Sequence, residues 1–290
     1  MHFTIPLVLF FLVVPWFPIS AAERPASAVP ARPENQIQAD LEQNLQTARW
    51  MVEYDHVAWA TTDLLLKESK ETLRQVGPVW FCLKKDDGWY ALYGSLRAET
   101  YDIAVCYREA SRDKFEKVTP PDFPDKDRFA RAISLTLPET LETTRRTTVR
   151  FNYFVRGERD QIAIYYLPAF QTDGKLAYGI QYTFFLDSPG RKLTSHEQLG
   201  QVLIGVFPNK GRTVVLEMPE CVVPTPQALF SMISYRDRFG DIVTHCRDGY
   251  FGITEQNGVL TCIRKSATPS TAPEPPLGMN GTAVSPARSP

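Results

Sequence analysis

The chain has 290 residues, of which 43% are hydrophobic and 12% aromatic, proportions that exclude a wholly disordered polymer. Lys and Arg number 32 against 33 Asp and Glu, so there is no surplus of positive charge with which to displace the counterions of a polyanion. Nucleic acid is not an expected partner.

Residues 5–19 form an apolar run that ends in Ser20-Ala21-Ala22 ahead of Glu23. Small residues at that place suit signal peptidase, so residues 1–22 read as a signal peptide cleaved after Ala22. The run is shorter than the ~20 residues a membrane-crossing helix needs, and Pro6, Pro15 and Pro18 interrupt it. A secreted or periplasmic location follows, with no stable membrane span beyond the cleaved leader. An uncleaved anchor is the alternative, because only the amino terminus and His2 precede the run. Residues 23–34 are Pro, Ala and Arg without periodicity, a linker.

Ile37, Leu41, Leu45, Ala48 and Val52 then recur at helical spacing, which predicts a helix with one face turned inward. A second helix is expected to start with Thr62 as its cap and to run through Leu73, ahead of Gly77-Pro78. The period next changes to two. Residues 79–84, 89–96 and 101–108 read as a three-stranded antiparallel meander whose first turn is Asp86-Asp87-Gly88. Residues 35–120 are thus a helical hairpin plus a meander. Its aromatic density implies that a helix covers one sheet face.

Pro120, Pro121 and Pro124 mark a break, after which Asp125 opens a helix carrying Phe129, Ala132 and Ile133 that Pro138 is expected to stop. Strands follow at 149–155, 161–167, 176–187, 202–207 and 213–218. A helix over 226–235 tolerates Pro226 in its first turn, and residues 242–246 and a hairpin over 250–264 close the body. Residues 121–265 make a second α+β region, either continuous with the first or a separate domain, since a body of about 230 residues fits both. The fold class is α+β, with antiparallel or mixed sheets and the N-terminal helices packed on them. Residues 266–290 are Ser, Thr, Ala and Pro, too poor in apolar surface to repay ordering, and read as a disordered tail.

The five cysteines, Cys82, Cys106, Cys221, Cys246 and Cys262, are an odd number, so at least one is unpaired within the chain. A hairpin turning at Asn257-Gly258 sets Cys262 opposite Ile253. Counting from a turn at Asp87-Gly88 sets Cys82 opposite Tyr93, and a turn over 97–100 sets Cys106 opposite Ala91. Those two thiols would share a sheet face two strands apart, beyond disulfide reach. Mostly buried free thiols are expected.

Three histidines lie outside the leader. His56 follows Glu53 and Asp55, a set suited to acid–base work or a metal; its plainer reading is a helix-end histidine facing the negative pole of the helix. His196-Glu197 begins like a zinc-protease helix, but Gly200 occupies the place of the second histidine. His245 and Cys246 are neighbours on a strand and point to opposite faces, so they form no dyad. Asp122, Asp125 and Asp127 lack the glycine and bidentate Glu of a calcium loop and read as helix-capping residues. His196, His56 and Asp55 are left as candidate catalytic groups, and no cofactor is expected.

From Arg212 to Arg264 the layout resembles the metal-binding half of JAB/MPN-type (JAMM) metallopeptidase domains. There a strand delivers His-x-His, a loop brings Ser or Thr, and an Asp follows at a helix start. The corresponding run here is Leu216-Glu217-Met218, a loop from Pro219, then Thr225-Pro226-Gln227-Ala228. The resemblance implies metal-ligand positions at Leu216, Met218 and Ala228, and none of these side chains binds zinc. It therefore implies a metal-less pseudoenzyme. The runs Gly77-Pro78-Val79-Trp80-Phe81 and Leu167-Pro168-Ala169-Phe170 are similar to runs in secreted bacterial proteins.

With no assembled motif, the expected role is non-catalytic binding of a protein, peptide or envelope ligand. The alternatives are a secreted hydrolase whose site is built from distant residues, and a structural envelope protein tethered by an uncleaved N-terminus.

Overall fold

The sequence from Glu34 to Leu65 holds no Gly or Pro, and it forms one 32-residue helix, α1 (Glu34–Leu65), in the computed structural model, which describes residues 32–158, 160–171, 174–200 and 203–265. The expected leader, most of the linker and the expected tail lie outside the described residues. The break expected before a helix capped by Thr62 does not occur. Thr61 Oγ1 donates to the Val57 carbonyl at 2.7 Å and meets the Tyr93 hydroxyl at 2.9 Å, and Thr62 Oγ1 meets that hydroxyl at 3.2 Å. Both hydroxyls serve a tertiary contact, so neither caps a helix start. The second helix, α2 (Lys70–Arg74), is short and is capped by Ser69.

Strands β1 (Trp80–Lys85), β2 (Gly88–Arg97), β3 (Thr100–Ser111) and β4 (Lys114–Lys117) make an antiparallel sheet in that order, one strand longer than the predicted meander. Two register shifts correct the cysteine positions. The first turn is Asp86-Asp87, with Gly88 already paired to Lys85, so Cys82 stands opposite Ala91. A bulge at Tyr93/Gly94 shifts β3 by one, so Cys106 stands opposite Leu92. Ala91 and Leu92 alternate across the pleat, which puts the two thiols on opposite sheet faces rather than on one. Cys262 does stand opposite Ile253. All five cysteines are free; Cys221 is half-buried and the other four are buried.

Helix α3 (Lys126–Thr147) runs straight through Pro138. Ser134, whose carbonyl loses its helical partner to the proline, and Pro138 itself are both exposed, so water can serve the freed oxygen. The inward stripe carries threonines on both sides of the proline: Thr136 Oγ1, before it, meets the Tyr166 hydroxyl at 2.9 Å, and Thr143 Oγ1, beyond it, the Tyr182 hydroxyl at 2.7 Å. Those tertiary bonds outlast the local stop signal.

The second sheet has the order β5-β6-β8-β9, from β5 (Phe151–Gly157), β6 (Gln161–Pro168), β8 (Gln181–Asp187) and β9 (Leu193–Leu199). The strand expected over 176–187 is broken at Gly179, where φ is +110°, and its first part, β7 (Leu176–Tyr178), pairs instead with β10 (Ile204–Val206). β9 had no predicted counterpart, because its sequence Leu-Thr-Ser-His-Glu-Gln-Leu is a polar, exposed edge. The last sheet is mixed. β11 (Thr213–Met218) runs through α4 (Pro226–Tyr235) into β12 (Asp241–Cys246), which lies parallel to it, and β13 (Gly249–Gln256) and β14 (Val259–Lys265) follow as an antiparallel hairpin.

The fold is α+β, with helix α1 packed against the sheets. Tyr54 of α1 is fully buried, with its ring 6.1 Å from Trp89 of the first sheet and 5.2 Å from Phe154 of the second. A buried ring of this size contributes about 1.5–3 kcal/mol, so this one helix face ties the first two sheets together. Among the described residues no helix is long and apolar enough to cross a membrane.

Candidate functional site

Strand β11 alternates its side chains, so Leu216 and Met218 turn inward while Glu217 turns outward. At the end of the following loop Thr225 accepts from the Ala228 amide at 3.2 Å and caps α4, with Pro226 at the first helical position. This local chemistry brings Leu216, Met218 and Ala228 to the lining of one cavity of about 30 Å³, together with residues of β6 and of the segment around Gly179. The space suits one water or ion.

Among the described residues no imidazole lines the cavity, and its two carboxylates, Glu217 and Glu220, are exposed and engaged outside it, with His245 Nδ1 at 2.7 Å and the Gly200 amide at 2.9 Å, so the buried polar groups there are chiefly amides. Gln181 Nε2 donates to Thr225 Oγ1 at 3.0 Å and lies 4.0 Å from Met218 Sδ. Gln227 Nε2 donates to the Tyr182 carbonyl at 3.1 Å and to Thr183 Oγ1 at 2.8 Å, which leaves Gln227 Oε1 buried without a partner among the described residues. Such an oxygen gives the cavity a standing demand for a hydrogen-bond donor. A neutral amide oxygen beside a thioether is a weak donor set for zinc. The chemistry of this cavity therefore does not fit the metal that the resemblance would call for.

The three histidines are held apart. His56 sits well inside α1, not at a helix end, because the helix runs on to Leu65; its Nε2 pairs with Asp113 Oδ1 at 2.8 Å, both side chains being exposed. His196, on β9, lies 3.6 Å from Glu139 of α3 and stacks on Phe184. His245 Nδ1 lies 2.7 Å from Glu217 Oε2 across the parallel β11–β12 pair and stacks on Tyr250 at 4.3 Å. Cys246, next to it, is buried on the other face. Sequence reasoning missed the Glu217–His245 pair, since only the parallel crossover places these residues side by side. Among the described residues no three His, Cys, Asp or Glu side chains gather as a metal site.

Asp55 is the one candidate with a distinctive environment. Burial raises its carboxyl from the ordinary 3.8 to about 7, and it accepts a hydrogen bond from Asn152 Nδ2 at 3.4 Å. A carboxyl titrating near neutrality can trade protons. Nearby Cys82 is no nucleophile for it, since burial and the Asp55 charge both push that thiol up. Asp125, expected to cap α3, makes no cap bond and pairs with Arg128 at 2.8 Å, while Asp127 Oδ1 accepts from the Tyr101 amide at 2.7 Å. Neither is free to hold calcium with the other.

A second and much larger opening, a groove of about 600 Å³, lies along α1 between the β3–β4 and β13–β14 turns. No family model, curated protein or solved structure matches this chain. The reading of its role therefore rests on the cavity, the groove and the separated histidines.

Proposed function

We propose that the chain is an exported, non-catalytic binding protein, secreted or periplasmic, that takes a protein, peptide or envelope ligand and is built on a JAB/MPN-like scaffold without its metal. One observation carries this reading: Leu216, Met218 and Ala228 line the same cavity, and none of the three can ligate zinc. Their convergence supports the resemblance, and their chemistry supports the loss of activity. Export rests on the small-residue site after the apolar run at residues 5–19.

The test is restoration. Leu216→His, Met218→His and Ala228→Asp together should give a chain that takes up one equivalent of zinc, while no single substitution does so. A triple variant with wild-type circular dichroism that binds no zinc would remove the JAB/MPN part of the reading. Terminal sequencing of the exported protein should find Glu23 first.

The rival reading, a secreted hydrolase, is favoured by Asp55 alone, through its neutral-range carboxyl. It requires a turnover on peptide or ester substrates that Asp55→Asn abolishes.

A further inference from the structure

The groove along α1 shares no residue with the cavity at Met218. Its apolar lining is aliphatic, from Val52 of α1, Ile233 of α4, and Val259 and Leu260 at the start of β14. Val259 is 59% exposed, so an apolar side chain stands in water at the opening. Among the described residues no aromatic ring lines it, which removes from them the platform on which sugars stack.

Three charged residues share the lining, and they are not equivalent. Glu53 is already engaged: its carboxylate accepts from Lys84 Nζ at 2.6 Å and from Trp89 Nε1 at 3.2 Å. Arg49 donates one Nη to the Leu260 carbonyl, a neutral acceptor, and has no carboxylate partner among the described residues. Arg112, in the β3–β4 turn, is exposed and makes no hydrogen bond or ion pair among the described residues. The groove therefore presents two guanidinium groups without counter-ions beside an aliphatic surface, in a volume within the usual range of small-molecule sites.

We propose that this groove binds a carboxylate carried on an aliphatic chain, a ligand of the fatty-acid class. A guanidinium offers a planar fork that matches a carboxylate with two parallel hydrogen bonds, and the aliphatic residues take the chain. The proposal names the ligand class for the binding reading above and rests on it.

Calorimetric titration of the full chain with dodecanoate, below its micellar concentration, tests the proposal against dodecanol, butyrate and an acidic twelve-residue peptide. Dodecanoate should bind one to one, with dodecanol and butyrate each at least tenfold weaker. Arg112→Gln and Val259→Asp, both at exposed positions, should each weaken dodecanoate about tenfold, a change of 1.4 kcal/mol. Equal binding of dodecanol, or unchanged affinity in Arg112→Gln, overturns the charge assignment and with it the proposal. Binding of the peptide with none of dodecanoate overturns the proposal but leaves the binding reading standing. Silence toward all four probes overturns the proposal too, and the JAB/MPN part of the reading above is then judged separately by its zinc test.

Discussion

Asn152 Nδ2 donates to the Asp55 carboxylate at 3.4 Å, across the joint between α1 and β5. One long bond does not offset burial, and the carboxyl rises from 3.8 to about 7. The folded chain then holds a proton that the unfolded chain releases near pH 4, so this group's contribution to stability falls as pH climbs from about 4 to about 7 and is level above that. The span of about three pH units corresponds to at most about 4 kcal/mol. Tyr235 and Cys82 face the same carboxyl, and burial raises both, so neither titrates in this window. Asp55→Asn should raise the melting temperature at pH 8 and flatten the pH 4–7 slope; urea titrations across that range check it, and an unchanged slope would contradict it.

Thr225 caps α4 and also partners Gln181. Thr225→Val keeps the shape but removes both bonds, at about 1 kcal/mol for the cap and about 1–3 kcal/mol for the stranded amide. Chemical denaturation should show a loss of about 2–4 kcal/mol, with Thr225→Ser close to wild type. Equal stability of the valine variant would mean that neither bond matters.

Gly94 sits at the bulge between β2 and β3, where an added Cβ would stand 2.0 Å from the Asp102 carbonyl oxygen. Backbone must move to admit it, so Gly94→Ala should cost about 3 kcal/mol or more. Gly174 has open space around its absent Cβ, although its φ is +84°, so Gly174→Ala should cost only about 1 kcal/mol. Similar losses from the two substitutions would mean that the bulge is not as tight as described.

The cysteines provide a chemical readout of packing. Burial pushes Cys106, Cys221 and Cys262 up to about 12, and Cys82 and Cys246 also upward. Thiolate is the reactive form, so native protein at pH 8 should react slowly with an aromatic disulfide reagent, half-buried Cys221 first. Denaturant should release all five equivalents. Fewer than five under denaturing, non-reducing conditions would reveal a bridge.

Periodicity was enough to locate α1's inward face, the β1–β2–β3 meander and the β13–β14 hairpin, because each of those signals is local. What overrode local signals was tertiary bonding. Thr62 looks like a cap and Pro138 like a stop, yet Tyr93 claims the Thr62 hydroxyl while Tyr166 and Tyr182 hold α3 on either side of the proline. A bulge at Gly94 is invisible to register counting, and one residue of shift moved Cys106 to the other face. At the cavity, the sequence marked Leu216, Met218 and Ala228 but not Gln181, Gln227 or the Glu217–His245 pair. Those depend on a parallel crossover and on β8, which no spacing rule links to β11. Arg49 and Arg112 carry no motif, and only folding brings them to one groove.

The central proposal is that this chain binds without catalysing and that its cavity at Leu216, Met218 and Ala228 holds no metal. Mass spectrometric metal analysis of the purified protein, run beside hydrolysis assays of the wild type and of His56→Ala and His196→Ala, addresses it most directly. The account predicts less than a tenth of an equivalent of transition metal and the same background hydrolysis in all three proteins. One tightly held metal per chain, or a turnover that vanishes with either histidine, would contradict it.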